Sequence, residues 1–553
     1  MAKNGSREVK MANNNHGWGW WCAVGSAAVP AMSAAIAPPA SAQDTGIKIT
    51  ADAAKSVDLR TAPELPAVAP PPGLVTNRPT MPMADYLAAK NAAAAKVGAT
   101  RPRSEAAPPP ATGVTLYTQV GSTNESQTTG GNVFPPGGDV ATSANWLVQV
   151  NNDIVTMYNW FTNAFVQKNF NTFFQDALFF KFDPRVIYDW YWDRFVVLVD
   201  GCNPCSGPNT SSFFFLAVSQ TGDPTGAYWV WFLSPGTVGS NDFADFPQLG
   251  MDLNSIIVTY NDFNPNGSFN SGRLFSMAKA HVYTNHGFSY PVFGGSGCTV
   301  APPYVLDDSI TAYVLAFCPG EKEVWIGSLT NTGHSAATLN WDNPVLVGGA
   351  LFHGIPPNAP QPGVDYPLDT GDNRFENRSL QVGSRLLNAA TISYERPGAG
   401  YPASAVWFDF NIGVSPHTLQ SENIWYASYF TSSDWHPSVN ANTVGGSPLG
   451  ETFGTWMSVD ATNNVNVQLR AIGWTGDDVS GGPGIPVYTS PRALTGQTDA
   501  NGIHRSGDYS YIALYPAAAL GCTQPNEIGI LTGETAGPSL GLWGTRVGIV
   551  KHC

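Results

Sequence analysis

A chain of 553 residues with a net charge of −14 and only 12% charged side chains is a poor partner for nucleic acid or an anionic membrane surface. Both need clustered lysine and arginine, and the sequence holds no long basic run. An equal 12% of aromatics, with 57 glycines and 44 prolines, is the composition of an all-β protein with many polar loops.

Residues 1–42 read as a secretory signal peptide. Lys3, Arg7 and Lys10 supply a basic start, Trp18 to Ala37 an apolar core, and Ala40-Ser41-Ala42 a small-residue cleavage site. Pro30 and Pro38 interrupt that core, and its removal leaves no membrane span in the mature chain. The expected location is secreted: periplasmic, cell-surface or extracellular. Loss of three basic residues and one acidic residue takes the net charge to −16. Residues 43–112 are rich in Pro and Ala, with Tyr86 as their only aromatic, and read as a disordered linker or stalk. One short helix is predicted within them, from Met83 to Val97, where alanines dominate after Pro82.

From residue 113 to residue 553 the texture changes to short β-rich runs punctuated by Gly, Pro, Asn and Asp. Val114–Val120 is predicted to join the C-terminal run Trp543–Val550 and close the domain. Trp146–Val150 and Ile154–Tyr158 form an early strand pair. Three later stretches share one layout, in which an Asp opens an apolar segment and a polar tip leads to a second. They begin at Asp183, Asp245 and Asp508, with Phe195–Asp200, Ile256–Asn261 and Glu527–Thr532 as their second segments. The first interval is 62 residues and the second is 263, close to four more such periods. Asp308 opens a further match, and weaker ones lie at Leu380–Gly383 and Phe453–Asp460. A repeat of that length built from paired strands predicts a β-propeller. Seven blades fit best, and six or eight fit as well, because the fifth and sixth units are poorly marked.

Beyond the signal, the six cysteines of an oxidising compartment predict disulfides, and sequential pairing is the simplest scheme: Cys202 with Cys205, Cys298 with Cys318, Cys522 with Cys553. Cys202-Asn-Pro-Cys205 has redox or zinc spacing, but no second such motif or neighbouring His pair supports a metal.

The turn Ser219-Gln-Thr-Gly-Asp-Pro-Thr-Gly226, followed by Trp229, resembles a loosened Asp-box of sialidase-like propellers. Asp183 to Asp200, Asp245 to Asn261, Ser506–Ser510, Trp543–Arg546 and the terminal Cys553 are similar to a group of secreted bacterial β-propellers, mostly of unknown function. The likeness spans about residues 130 to 553. It implies a secreted propeller and transfers no catalytic residue. Sialidase activity is not expected, since there is no Arg-Ile-Pro and no Arg between Arg103 and Arg185.

In a propeller the Asp residues opening the inner strands gather at one mouth of the central channel. Asp183, Asp245, Asp308 and Asp508, with Arg185 and Tyr509, are therefore the candidate ligand-binding residues. The alternative is that each Asp only caps the turn entering its strand. No motif demands a cofactor; calcium is the ion such a carboxylate ring could hold. Asp262-Phe-Asn-Pro-Asn-Gly267 opens like a calcium loop, but Arg273 stands where the bidentate Glu belongs. His281 and His286, with Tyr283, could serve as acid and base or as two metal ligands, but their five-residue separation places them on opposite faces of an extended strand. Asp369 and Asp372 could serve glycoside hydrolysis or form an Asx turn. The reading that follows is a secreted, monomeric binding or scaffold module for carbohydrate or another envelope component. A polysaccharide hydrolase or lyase, and a structural or adhesive surface protein, are its alternatives.

Overall fold

The computed structural model describes residues 46–553 except 69, 72–77, 98–114, 122–135, 207–209, 237–240, 350, 443–449, 476–480, 495–497, 499–501, 517, 519–521, 524 and 537–542. The signal-peptide reading lies outside these residues. Among the described residues, hydrogen bonding sorts the strands into six sheets: one of ten strands, two of five and three of four. The innermost strands lie side by side in a closed circuit. Asp139–Thr142 lies against Phe180–Asp189, then Phe243–Met251, Pro303–Val305, Ser379–Val382, Ser433–Ala441 and Tyr511–Leu514, which returns to Asp139–Thr142. This is a β-propeller arrangement.

The blade count differs from the sequence expectation. Five sheets stand as separate blades, not seven. The physical reason is Pro303–Val305, which pairs in parallel with Phe243–Met251 on one side and Ser379–Val382 on the other. The strands on either side therefore run on as one continuous ten-stranded sheet. Asp308 misled the repeat for the same reason. The strand it precedes, Thr311–Phe317, is not innermost but pairs with Thr299–Ala301 and Glu323–Thr330.

Central strands are buried on both faces because neighbouring blades cover both. All nine residues of Ser255–Phe263 and all nine of Arg385–Ser393 are buried, which explains their near-continuous apolar runs. The turn at Asp223 forms as its residues dictate, with Asp223 Oδ1 accepting from Thr225 N at 2.9 Å.

The segment read as a disordered stalk is instead part of the domain wherever it is described. Ile47–Ala51 pairs with Phe288–Ser296, and Lys55–Asp58 pairs with Ala227–Leu233. Two short strands thus cover the outer edges of two sheets. The helix Met83–Val97 has the bounds expected from the alanine run. It docks through Tyr86 and the neighbouring Met81, Met83 and Leu87 against Ile355 and Ile503.

Closure follows the predicted scheme. Thr115–Gly121 pairs with Trp543–Lys551, and Cys522–Cys553 fastens the end of that last strand. Cys202–Cys205 and Cys298–Cys318 also form. Asp262 is held by Arg273 at 2.9 Å and Asn270 at 2.9 Å, and Asn264–Gly267 after it forms a plain turn. One local expectation changes. His281 lies on a short helix, Lys279–Val282, not on a strand, and His286 bonds Thr284 Oγ1 at 2.7 Å.

Candidate functional site

Three inner strands carry the same irregularity. Asp183, Phe246 and His436 have φ of 49°, 57° and 51°, and each immediately precedes a proline. Pairing slips between Phe182 and Arg185, between Asp245 and Gln248, and between Trp435 and Ser438. A residue before proline is barred from the right-handed helical region, and proline removes a ladder donor, so both favour a bulge. A bulge re-aims side chains, here at the start of the channel. The repeating signal is thus an X-Pro bulge more than a leading Asp.

These bulges bring together five of the six predicted residues: Asp183, Arg185, Asp245, Asp508 and Tyr509. Asp183 takes Asn152 Oδ1 on its backbone N–H at 2.7 Å, and its carboxylate meets Tyr509 Oη at 3.5 Å. The Arg185 guanidinium lies 3.4 Å from the Tyr509 ring centroid and donates Nε to Pro247 O at 2.8 Å. Asp508 pairs with Arg505. Asp308 is exposed on a loop and does not join them. Asp200, which the sequence reading passed over, does: one oxygen from each of Asp183, Asp200 and Asp245 lies within 4.8 Å of the others. Burial, then Asp245 and Asp508, push Asp183 up to about 8 against the pull of Arg505 and Arg185. Burial, then Asp245 and Asp183, push Asp200 well up.

The N-terminal segment borders this acidic end. Arg78 pairs with Asp245 at 2.9 Å and lies 3.9 Å from the Phe243 ring centroid. Tyr86 donates to Asp369 at 2.7 Å, while Lys90 reaches Asp369 at 3.0 Å and Thr370 at 2.9 Å. Burial raises the Asp369 carboxyl, but Lys90 and Tyr86 outweigh it and hold the group low. Asp372 is clamped by Arg374 Nε at 2.7 Å. Asp369 and Asp372 therefore each have a cationic partner and are not free as a catalytic pair.

The open cavity lies at the other end of the channel. Six residues of strand, about 20 Å, separate Asp183 from Asp189. Between the ends sits Arg378, whose guanidinium bonds both oxygens of Asp139 at 2.9 Å, Val186 O at 3.0 Å and Tyr511 Oη at 2.6 Å. Beyond it opens a cavity of about 270 Å³, lined by Arg378, Tyr188, Trp190, Tyr304, Tyr511, Asn440 and Asn442 among others. Trp190, at its lip, opens the turn Trp190-Tyr191-Trp192, whose three residues are each 44–54% exposed. Buried Asp189 makes this turn rigid. Its Oδ1 accepts the N–H groups of Tyr191 and Trp192 at 3.1 and 3.3 Å. Its Oδ2 takes Tyr283 Oη at 2.7 Å and Lys279 Nζ at 2.6 Å. The signal for this ridge was three adjacent aromatics between two aspartates.

No family model matches the sequence, and no curated protein matches it. Solved structures do. The chain is similar to the exo-β-1,3-galactanase of Phanerochaete chrysosporium with galactose, at 10% identity and TM-score 0.31 over 65% of this chain and 94% of that one. It is similar to an exo-β-1,3-galactanase of Clostridium thermocellum, at 12% identity and TM-score 0.32 over 68% and 83%. It is equally similar to a chain of an S. cerevisiae complex containing ADP, at 9% identity and TM-score 0.34 over 81% and 98%. Scores this low, shared across unrelated activities, leave the functional reading to the residues themselves.

Proposed function

We propose that this protein is a secreted carbohydrate-binding propeller whose ligand enters the cavity at the Trp190 end of the channel. The observation that carries this reading is the exposed, rigidly held Trp190-Tyr191-Trp192 ridge beside a cavity lined by Tyr188, Tyr304 and Tyr511. Exposed aromatic rings cost solvation, and a soluble chain that fixes three in one turn is offering a contact surface. Sugar rings present apolar C–H faces to such planes, and a cavity near 270 Å³ is close to the lower end of small-ligand sites. Three disulfides and the absence, among the described residues, of any helix long and apolar enough to cross a membrane are compatible with export.

A polysaccharide array tests this. The parent should be retained on at least one glycan, and the Trp190→Ala/Trp192→Ala double variant should lose that retention by tenfold or more while keeping its circular dichroism. Unchanged retention would refute the site. The enzymatic alternative is favoured by one observation, the convergence of Asp183, Asp200 and Asp245. Glycoside hydrolysis uses two carboxyls about 5–10 Å apart, and oxygens within 4.8 Å of one another stand at the short, retaining end of that range. Reducing or unsaturated ends released on the same array, and lost in Asp183→Asn, would select that reading.

A further inference from the structure

The acidic end of the channel holds a charge problem that the carbohydrate reading leaves untouched. Asp200 is 1% exposed, and neither of its carboxylate oxygens has a hydrogen-bond partner. A buried carboxylate without donors is among the costliest groups a fold can carry, and native structures rarely leave one unanswered. Its oxygen lies within 4.8 Å of oxygens on both Asp183 and Asp245.

The nearby cations do not resolve it. Arg78 takes Oδ2 of Asp245. Arg185 is spent on Pro247 O, Glu376 O and Asn377 Oδ1. Arg505 is paired with Asp508. Arg185 still sets its positive charge beside Asp183 and Asp200, so three carboxylates against Arg78 and Arg185 leave a net negative charge with no partner of its own. A second orphan lies beside them: Asn261 pairs directly with Asp245 in the ladder, is fully buried, and has no partner for either amide atom. Residues directly opposite across a ladder present their side chains to the same face.

We infer that Asp183, Asp200 and Asp245, with the side-chain oxygen of Asn261, form a calcium site at the acidic end of the channel. Ca²⁺ binds oxygen ligands at about 2.3–2.6 Å, so ligands on one ion lie at most about 5 Å apart. The separation among the three carboxylates falls inside that limit. The donors are all hard oxygens, with no imidazole or thiolate, which excludes the zinc and copper class. A mixed set of carboxylates and an amide, fixed by two different inner strands and their neighbours, suits the irregular shell of calcium better than the near-octahedral shell of magnesium. The site lies on the described structure independently of the Trp190 cavity, so either can fail alone.

The test is calorimetric titration of the full chain, stripped with chelator, with CaCl₂ and separately with MgCl₂. The parent should bind one equivalent of Ca²⁺, and Mg²⁺ at least tenfold more weakly. Asp200→Asn should weaken Ca²⁺ binding by at least tenfold, and the exposed control Asp308→Asn should bind as the parent does. Folding is followed in parallel. In chelator, Asp200→Asn should melt no lower than the stripped parent, because it removes an uncompensated charge. In saturating Ca²⁺ only the parent and the control should gain in melting temperature. The site is overturned by absence of Ca²⁺ binding to the parent, or by parental affinity in Asp200→Asn. Equal affinity for Mg²⁺ overturns the calcium assignment.

Discussion

Removing the Arg378 guanidinium is the sharpest test of how the channel is held together. Arg378 immediately precedes the inner strand Ser379–Val382 and reaches four other inner strands, at Asp139, Val186 O, Leu249 O and Tyr511 Oη. Its side chain is 3% exposed and that of Asp139 is fully buried. Burial works against the Arg378 charge, but Asp139 and Tyr511 outweigh it and hold the group protonated. Arg378→Met strands the Asp139 carboxylate, and breaking a buried pair from one side costs about 3–5 kcal/mol. Asp139 keeps the N–H groups of Val140 and Val186 at 2.8 and 3.1 Å, which places the loss at the lower end. The guanidinium also lies 3.8 Å from the Tyr511 ring centroid, a contact worth about 1 kcal/mol more. The expected destabilisation is therefore about 4 kcal/mol. Adding Asp139→Asn removes the stranded charge and should recover about 1–2 kcal/mol, a coupling that a double-mutant cycle reads directly. The assay is urea unfolding followed by tryptophan fluorescence and far-ultraviolet circular dichroism, with coincident curves required before free energies are compared. A loss under about 1 kcal/mol at unchanged slope, or strict additivity of the two substitutions, would refute the argument.

Three further outcomes are expected. Glu534 is buried with neither oxygen bonded, and burial, then Asp508, hold its pKa well above the usual value. A raised acid contributes stability below its unfolded pKa near 4.5 and loses it as pH rises through the folded value, so Glu534→Gln should gain on the parent in urea midpoint between pH 5 and pH 8. Deleting residues 46–58 uncovers the edges of Ala227–Leu233 and Phe288–Ser296. Open edges template association, so light scattering should show oligomers that the parent lacks. Cys522 and Cys553 close a separation of 31 residues, for which chain entropy gives about 3–4 kcal/mol. Replacing both with Ser should lower stability by that order in the same urea assay.

Much of the architecture was legible because propeller strands are long apolar runs separated by strong turn residues. Phe195–Asp200 and Ile256–Asn261 read as buried strands since both their faces are covered. The helix Met83–Val97 and the three disulfides were equally local or combinatorially simple. What escaped depends on distant partners. Ile47–Ala51 alternates Ile, Ile and Ala over only five residues, and Lys55–Asp58 has a single Val in four, so neither is long enough to read as a strand before the sheet edge it completes is known. Pro303–Val305 is three residues long and led by a proline, which argues against a strand until its two parallel neighbours are known. Asp200 closes an apolar run and looks like its solvent cap, whereas the fold turns it inward toward Asp183 and Asp245. The convergence of Asp183, Asp245, Asp508, Arg185 and Tyr509 could be inferred because each is tied to an inner-strand start; Asp308 failed because its strand is second in its sheet.

The double parallel pairing of Pro303–Val305 makes one sector of the ring stiffer than the rest. Across it, backbone bonds run unbroken from Ile47–Ala51 to Thr418–Trp425. Elsewhere, among the described residues, adjoining sheets share no strand ladder, as where Asp139–Thr142 faces Tyr511–Leu514 and Thr142 Oγ1 donates to Leu514 O at 2.9 Å. Those two strands help to line the open cavity. Any guest that wedges the axis apart will find the least resistance at that seam, so compliance and occupancy coincide in one place.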